Sequence, residues 1–124
     1  MDKIKIYIAS PYSNGNKEEL VKLQIDAASI LLQLGFSPYW PLATHYVATL
    51  TDIDPNFPWL DIDKEWIKLC DLVVRLHPKD IKGNEISSVG ADFEEKCANE
   101  FGIPLFNFDT LEEMKRYFHT LFER

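Results

Sequence analysis

The sequence predicts an α/β fold, a three-layer sandwich whose parallel sheet of four or five strands is covered by helices on both faces. Short β-branched and aromatic runs alternate with stretches whose apolar residues recur every three or four positions. Glycines and turn formers punctuate the joints between them. The chain has 124 residues, 46% of them hydrophobic, which suits one domain over residues 1–124 with one core.

The first strand is read in Lys3 to Ala9, K-I-K-I-Y-I-A, which runs into the turn formers Ser10-Pro11-Tyr12-Ser13-Asn14-Gly15-Asn16. From Lys17 to Leu34, Leu20, Leu23, Ala27, Ile30, Leu31 and Leu34 keep helical spacing, and Gly35 follows as a stop. Phe36 to Trp40 is a second, aromatic strand bounded by Pro41, which completes a βαβ unit with a right-handed crossover. Pro41 to Pro58 has weak periodicity and is expected to be an irregular excursion over the sheet edge.

Trp59 to Cys70 returns to helical spacing, and Asp71 to Leu76 is the third strand. After a polar loop containing Gly83, Ser87 or Ser88 can cap a helix that runs to Phe101, with Gly102 as its stop. Pro104 to Phe108 is a fourth strand, and Leu111 to Phe122 a closing amphipathic helix. In an open sheet of this kind ligands bind beyond the carboxyl ends of the strands, so the loops after strands one, two and three are where a site is expected.

Composition excludes several partners. Twenty acidic side chains against 13 basic ones leave a net charge of −7, and the lysines are scattered rather than clustered, so neither nucleic acid nor a membrane is expected as a partner. A small anion at a helix N-terminus remains compatible with that balance. Cys70 and Cys97 lack C-x-x-C spacing and read as buried free thiols. His45, His77 and His119 have no metal-ligand spacing, and no phosphate-loop, G-x-G-x-x-G or G-x-S-x-G motif occurs, so no metal and no cofactor is expected. Met1 to Ser10 lacks the layout of a signal peptide, which makes the cytoplasm the expected compartment.

Two carboxylates stand where apolar residues belong. In the helix beginning at Trp59 the apolar stripe is Trp59, Ile62, Trp66, Ile67 and Cys70, and Asp63 falls inside it. In the helix after Ser88 the inward set is Gly90, Phe93, Cys97, Ala98 and Phe101, and Glu94 lies on or beside that face, while Glu95, Lys96, Asn99 and Glu100 supply a solvent face. An inward carboxylate is costly unless paired or used. Converging carboxylates can divide glycosidic cleavage, one attacking the anomeric carbon and the other managing the leaving group's proton. Each also has a plainer explanation, since acidic residues early in a helix favour its dipole.

Weaker signals surround this pair. Ser87-Ser88-Val89-Gly90 puts hydroxyls and free N–H groups at a helix start, suited to a phosphate or a ribose hydroxyl, though equally an ordinary cap. Tyr7, Tyr12, Tyr39 and Trp40 offer aromatic surface to a nucleobase, or simply pack in the core. His45, just past strand two, either touches a ligand or has no role.

Together, Ile6-Tyr7-Ile8-Ala9-Ser10-Pro11-Tyr12-Ser13, Trp59-x-x-x-Asp63 followed by Cys70-Asp71, and Ser88-x-Gly90-x-x-x-Glu94-x-x-x-Ala98 leading to Gly102-Ile103-Pro104 resemble the nucleoside 2-deoxyribosyltransferase superfamily. The small bacterial and phage members of uncharacterised function are the most alike, and the nucleoside 5′-monophosphate N-glycosidases are more distant. The resemblance implies a flavodoxin-like (Rossmann-like) fold with strand order 2-1-3-4. It also implies cleavage of the N-glycosidic bond of a nucleoside or, by the match of Ser88 to a phosphate-contacting serine, a 5′-monophosphate. Glu94 would form the glycosyl-enzyme intermediate, Tyr7 would orient it, and Asp63 would position the substrate and assist proton transfer. Ser10, Pro11, Tyr12, Ser13, His45, Ser88 and Gly90 would line the substrate site.

Family members are dimers or larger, so a homo-oligomer is expected, with a neighbouring subunit helping to close the pocket of so short a chain. Three features depart from the pattern: Asp92 stands where many members have Gly, the first loop lacks the Arg of the monophosphate hydrolases, and the C-terminal strand and tail that contribute to the transferases' pocket have no counterpart in this sequence. The first two favour an alternative reading, a catalytically silent nucleotide-binding module of the same fold.

Overall fold

The computed structural model describes residues 3–12, 14–45, 50–54 and 57–122. In β1 (Lys5–Ala9) every residue after Lys5 is buried, as expected of a strand covered on both faces, and this explains a run without polar alternation. β1 pairs in parallel with β2 (Ser37–Tyr39) on one side and with β3 (Leu72–Leu76) on the other, and β4 (Leu105–Phe108) pairs with β3. The order is β2-β1-β3-β4, the doubly wound, flavodoxin-like arrangement, and the four strands form one sheet among the described residues. The order reverses between β1 and β3, which places the crevice at their carboxyl ends.

Local signals account for the helix limits. The side chain of Asn16 accepts from the Glu19 N–H to start α1 (Lys17–Gln33), and Gly35, at φ 94°, turns the chain out of it. Its buried residues are Leu20, Val21, Gln24, Ala27, Ala28 and Leu31, so the inward stripe is centred slightly to one side of the expected one and takes in a glutamine. The excursion after β2 begins as a helical turn, α2 (Pro41–His45), rather than as irregular chain. Pro41 favours this, because its fixed φ suits a first helical position that needs no N–H partner.

α3 (Trp59–Ile67) stops three residues short of the expected end, and the chain turns through Lys68 and Leu69. Asp71 then accepts from the Lys5 N–H at 2.8 Å, outside the third strand rather than as its first residue. Asp63 and Ile67 are buried in α3, whereas Trp66, expected in the apolar stripe, is 44% exposed. α4 (Val89–Glu100) is capped by Ser88, and its buried face is Ala91, Glu94, Cys97 and Ala98, with Gly90, Phe93 and Phe101 at the margin. α5 (Leu111–Phe122) spans the residues expected of it and buries Met114 and Phe118.

The helices divide the core in two. α1 and α5 cover Ile6, Ile8, Val74, Leu76 and Phe108 on one face of the sheet. Ile67 of α3 with Cys97 and Ala98 of α4 covers Tyr7, Ala9 and Val73 on the other.

Candidate active site

Tyr7 lies in the middle of β1 on the α3/α4 face, beside Val73 of β3. Its hydroxyl donates a hydrogen bond to Glu94 Oε2. Glu94 projects from the second turn of α4 at 5% exposure, and Asp63 of α3 is 1% exposed. The two carboxylates, placed on separate helices by the sequence, thus come together around one tyrosine, close enough for the charge of Asp63 to act on both Tyr7 and Glu94.

The electrostatics follow from this packing. Burial pushes the Glu94 carboxyl well above its ordinary value and the negative charge of Asp63 pushes it further, while the Tyr7 hydrogen bond and the charge of Arg75 pull it back. Burial, then Glu94 and Asp63, raise Tyr7 well above the usual phenol range, so it remains a protonated donor. Such a group can hold and orient an ionised carboxylate without removing its charge.

The remaining residues singled out in the sequence fall around this centre in different ways. Ser10 is buried at the end of β1, where its Oγ accepts from Gln24 Nε2 at 2.8 Å and its own O–H is left to donate. Pro11 is buried, and Tyr12 is half-buried with the Lys17 ammonium 5.2 Å from its ring centre. Ser13 and the side chain of His45 lie outside the described residues. Asn14 Nδ2 donates to the Ser87 carbonyl at 3.0 Å and joins the first loop to the segment that enters α4. The junction is close at Gly15, where a Cβ would come within 2.9 Å of Leu20 Cδ1 and 3.3 Å of Ile86 Cδ1 and so would shift those side-chain ends.

Ser88 accepts from the Ala91 N–H at 3.0 Å and so acts as the helix cap. A Cβ on Gly90 would meet nothing nearer than Leu60 at 3.7 Å, so packing alone does not demand glycine there. Asp92 has its Oδ1 2.8 Å from Arg75 Nη1 and its side chain 68% exposed. Tyr39 stacks on Trp66 with ring centres 5.0 Å apart and lies 5.6 Å from the Tyr7 ring, and Trp40 packs against the opposite core. Both are engaged in packing.

His77 bonds Glu85 and, at 2.8 Å, Asn107, which fastens the loop between β3 and α4. Cys97 is buried and Cys70 half-buried, and burial pushes the Cys70 thiol up to about 11, so neither is a ready thiolate. Among the described residues, no group of three His, Cys, Asp or Glu side chains is placed to hold a metal ion, and no helix is long and apolar enough to cross a membrane.

Two polar residues at the crevice escaped the sequence reading. Gln24 donates to the Ile8 carbonyl and to Ser10, and accepts from the Leu42 N–H at 2.8 Å, tying α1 to the end of β1 and to α2. Arg75, 6% exposed, bridges β3 to Asp92 and Glu95. Each could have been found by the signal that marks Asp63 and Glu94. Gln24 keeps helical spacing with Leu20, Ala27 and Leu31, and Arg75 interrupts the apolar run L-V-V-R-L.

The architecture is that of a doubly wound α/β protein with its polar centre at the switch point. Among solved structures the chain is similar to the 2-deoxyribosyltransferase from the psychrotolerant bacterium Bacillus psychrosaccharolyticus, at TM-score 0.66 and 22% identity over 94% of this chain and 95% of that one. The chain therefore has a nucleoside 2-deoxyribosyltransferase-like fold over nearly its whole length. No protein-family model and no curated protein matches it.

Proposed function

We propose that this protein cleaves the N-glycosidic bond of a nucleoside or a nucleoside 5′-monophosphate, by hydrolysis or base exchange, with Glu94 as nucleophile. The observation that carries the reading is the buried Glu94 carboxylate held by the Tyr7 hydroxyl beside the equally buried Asp63. Two buried carboxylates whose charges act on the same tyrosine are an expensive arrangement for a core and a useful one for acetal chemistry. The fold shared with a 2-deoxyribosyltransferase supports the same reading.

In this mechanism a Glu94 oxygen attacks the anomeric carbon as the bond to the base breaks, and the departing electron pair goes to the base nitrogen. A proton passes from Asp63 to the leaving base nitrogen. Water, or the N–H of a second base, then attacks the anomeric carbon as the bond from that carbon to Glu94 breaks, and Asp63 takes back the proton that the attacking group gives up. Tyr7 holds the carboxylate oriented while it carries the charge. Because burial and Asp63 raise the Glu94 pKa, the ionised nucleophile is expected only above the usual carboxylate range, and the rate should climb with pH through that raised midpoint. Ser88 and the N-terminus of α4 would receive a 5′-phosphate or a ribose hydroxyl. A second copy of the chain is proposed to help close the pocket.

Incubation with nucleosides and their 5′-monophosphates, followed by chromatography for free base, tests this directly. Base release is expected from the wild type, with a loss of at least about 1,000-fold in Glu94→Gln. Absence of base from every substrate, or an unaltered rate in that variant, sinks the reading. Tight nucleotide binding without release would favour the silent binding module.

A further inference from the structure

Arg75 is an unusual occupant of an interior strand. It pairs in register with Ala9, one row beyond Tyr7 and Val73 and on the same face of the sheet, towards the carboxyl ends. Its Nη1 lies 2.8 Å from Asp92 Oδ1 and 3.2 Å from Glu95 Oε2, and its Nε has no hydrogen-bond partner among the described residues. Asp92 and Glu95 are three apart and form one ridge of α4, next to the ridge that carries Glu94.

Stability does not account for this residue. Burying a guanidinium carries a desolvation cost that ion pairing only partly offsets, and an apolar side chain of similar volume is often as good or better. Asp92 is 68% exposed, so its pair with Arg75 contributes little net energy. What the contact does supply is geometry. A single nitrogen that holds residues two before and one after Glu94 restrains the rotation of α4 about its axis, and a turn of that axis would carry Glu94 away from Tyr7.

The geometry points to Arg75 as a positioning residue for Glu94: from the sheet it grips α4 through Asp92 and Glu95, keeps the Glu94 carboxylate on the Tyr7 hydroxyl, and sets a positive charge against that of Asp63. This rests on Glu94 being the nucleophile. Among the described residues, the charged and titratable groups that act on Glu94 are Tyr7 from β1, Tyr39 from β2, Asp63 from α3 and Arg75 from β3, with Asp92, Glu95 and Cys97 on its own helix. Of the four from other elements, Arg75 alone is positive, and it favours the ionised carboxylate.

The test uses the full chain with glutamate labelled at the side-chain carboxyl carbon, with the Glu94 resonance assigned by its loss in Glu94→Gln. Arg75→Gln is expected to raise the Glu94 midpoint by about one pH unit. It should also lower kcat about tenfold near neutral pH, with KM within about twofold. Arg75→Lys restores the charge without the fork, so the midpoint should return while kcat recovers only in part. A residue that served stability alone would lower Tm and leave the midpoint in place, and an unmoved midpoint in folded Arg75→Gln overturns the proposal. Should Arg75→Gln not fold, Arg75→Lys decides: a wild-type kcat overturns the proposal and a reduced one supports it. If the wild type cleaves no nucleoside, the glycosidase reading fails separately, and the midpoint in Arg75→Gln still judges Arg75.

Discussion

The two faces of the sheet receive alternate residues of the same strands and bury opposite kinds of chemistry. Towards α1 and α5, Ile6, Ile8, Val74 and Leu76 meet Ala27, Leu31, Met114 and Phe118, with Phe118 edge-on to Phe36 at 5.3 Å. Towards α3 and α4, Tyr7 and Ala9 of β1 and Val73 and Arg75 of β3 share a face with Asp63, Glu94, Cys97 and Ala98. Because side chains alternate along a strand, one five-residue segment, K-I-Y-I-A, serves both faces. The contrast teaches where a small domain can tolerate buried charge. Apolar burial on the first face, at roughly 25 cal/mol per Å², stabilises the sheet that the second face uses to hold a conflict of like charges in place.

The largest expected effect that separates the faces is Phe118→Ala. It should cost about 3–5 kcal/mol and lower Tm by roughly 15 °C or more in a thermal melt, yet leave the Glu94 midpoint where it was at temperatures where the variant is folded. A shift of that midpoint would show that the faces are coupled. Next comes Tyr7→Phe, which keeps the ring packing and removes the donor. Base release should fall by about 10- to 100-fold and the Glu94 midpoint should rise, since the hydrogen bond that favours the charged form is gone. An unchanged rate would remove Tyr7 from the site.

The smallest effect is on stability, and its sign is the informative part. Glu94 binds its proton more tightly in the folded protein than in the unfolded chain, so its contribution to stability declines as pH rises from the ordinary carboxylate range through the raised folded midpoint. Above that midpoint Glu94→Gln should be more stable than the wild type by on the order of 1 kcal/mol, about 4 °C in Tm. Near about pH 4 the two should melt together. A variant less stable than the wild type across that range would mean that the ionised carboxylate is a net support of the fold.

Much of this architecture is legible in one dimension. The α5 helix carries a strong amphipathic pattern and is read to the residue, and the strand-rich runs before Ser10 and after Cys70 differ from the observed strands only by frayed ends. The short α2 was not legible, because five residues beginning at a proline are too few to display a helical period. Trp66 misled for a related reason: helical spacing put it in the stripe, but α3 ends one residue later and the ring lies half outside, stacked on Tyr39.

Asp63 and Glu94 are visible in the sequence as charges set into apolar stripes, because an amphipathic period makes any violation of itself conspicuous. Their common neighbour is not visible there. That Tyr7 reaches Glu94 across 87 positions, and that Arg75 reaches Asp92 and Glu95 on the same helix, depends on parallel register and on which face each helix covers. The sequence by itself determined the alternation of elements and the residues that break it, since periodicity and turn chemistry are local properties of the chain. Only the tertiary structure decided which of those breaks meet, because the hydrogen bonds and fields that shift a carboxylate act over a few ångströms of space and take no account of sequence distance.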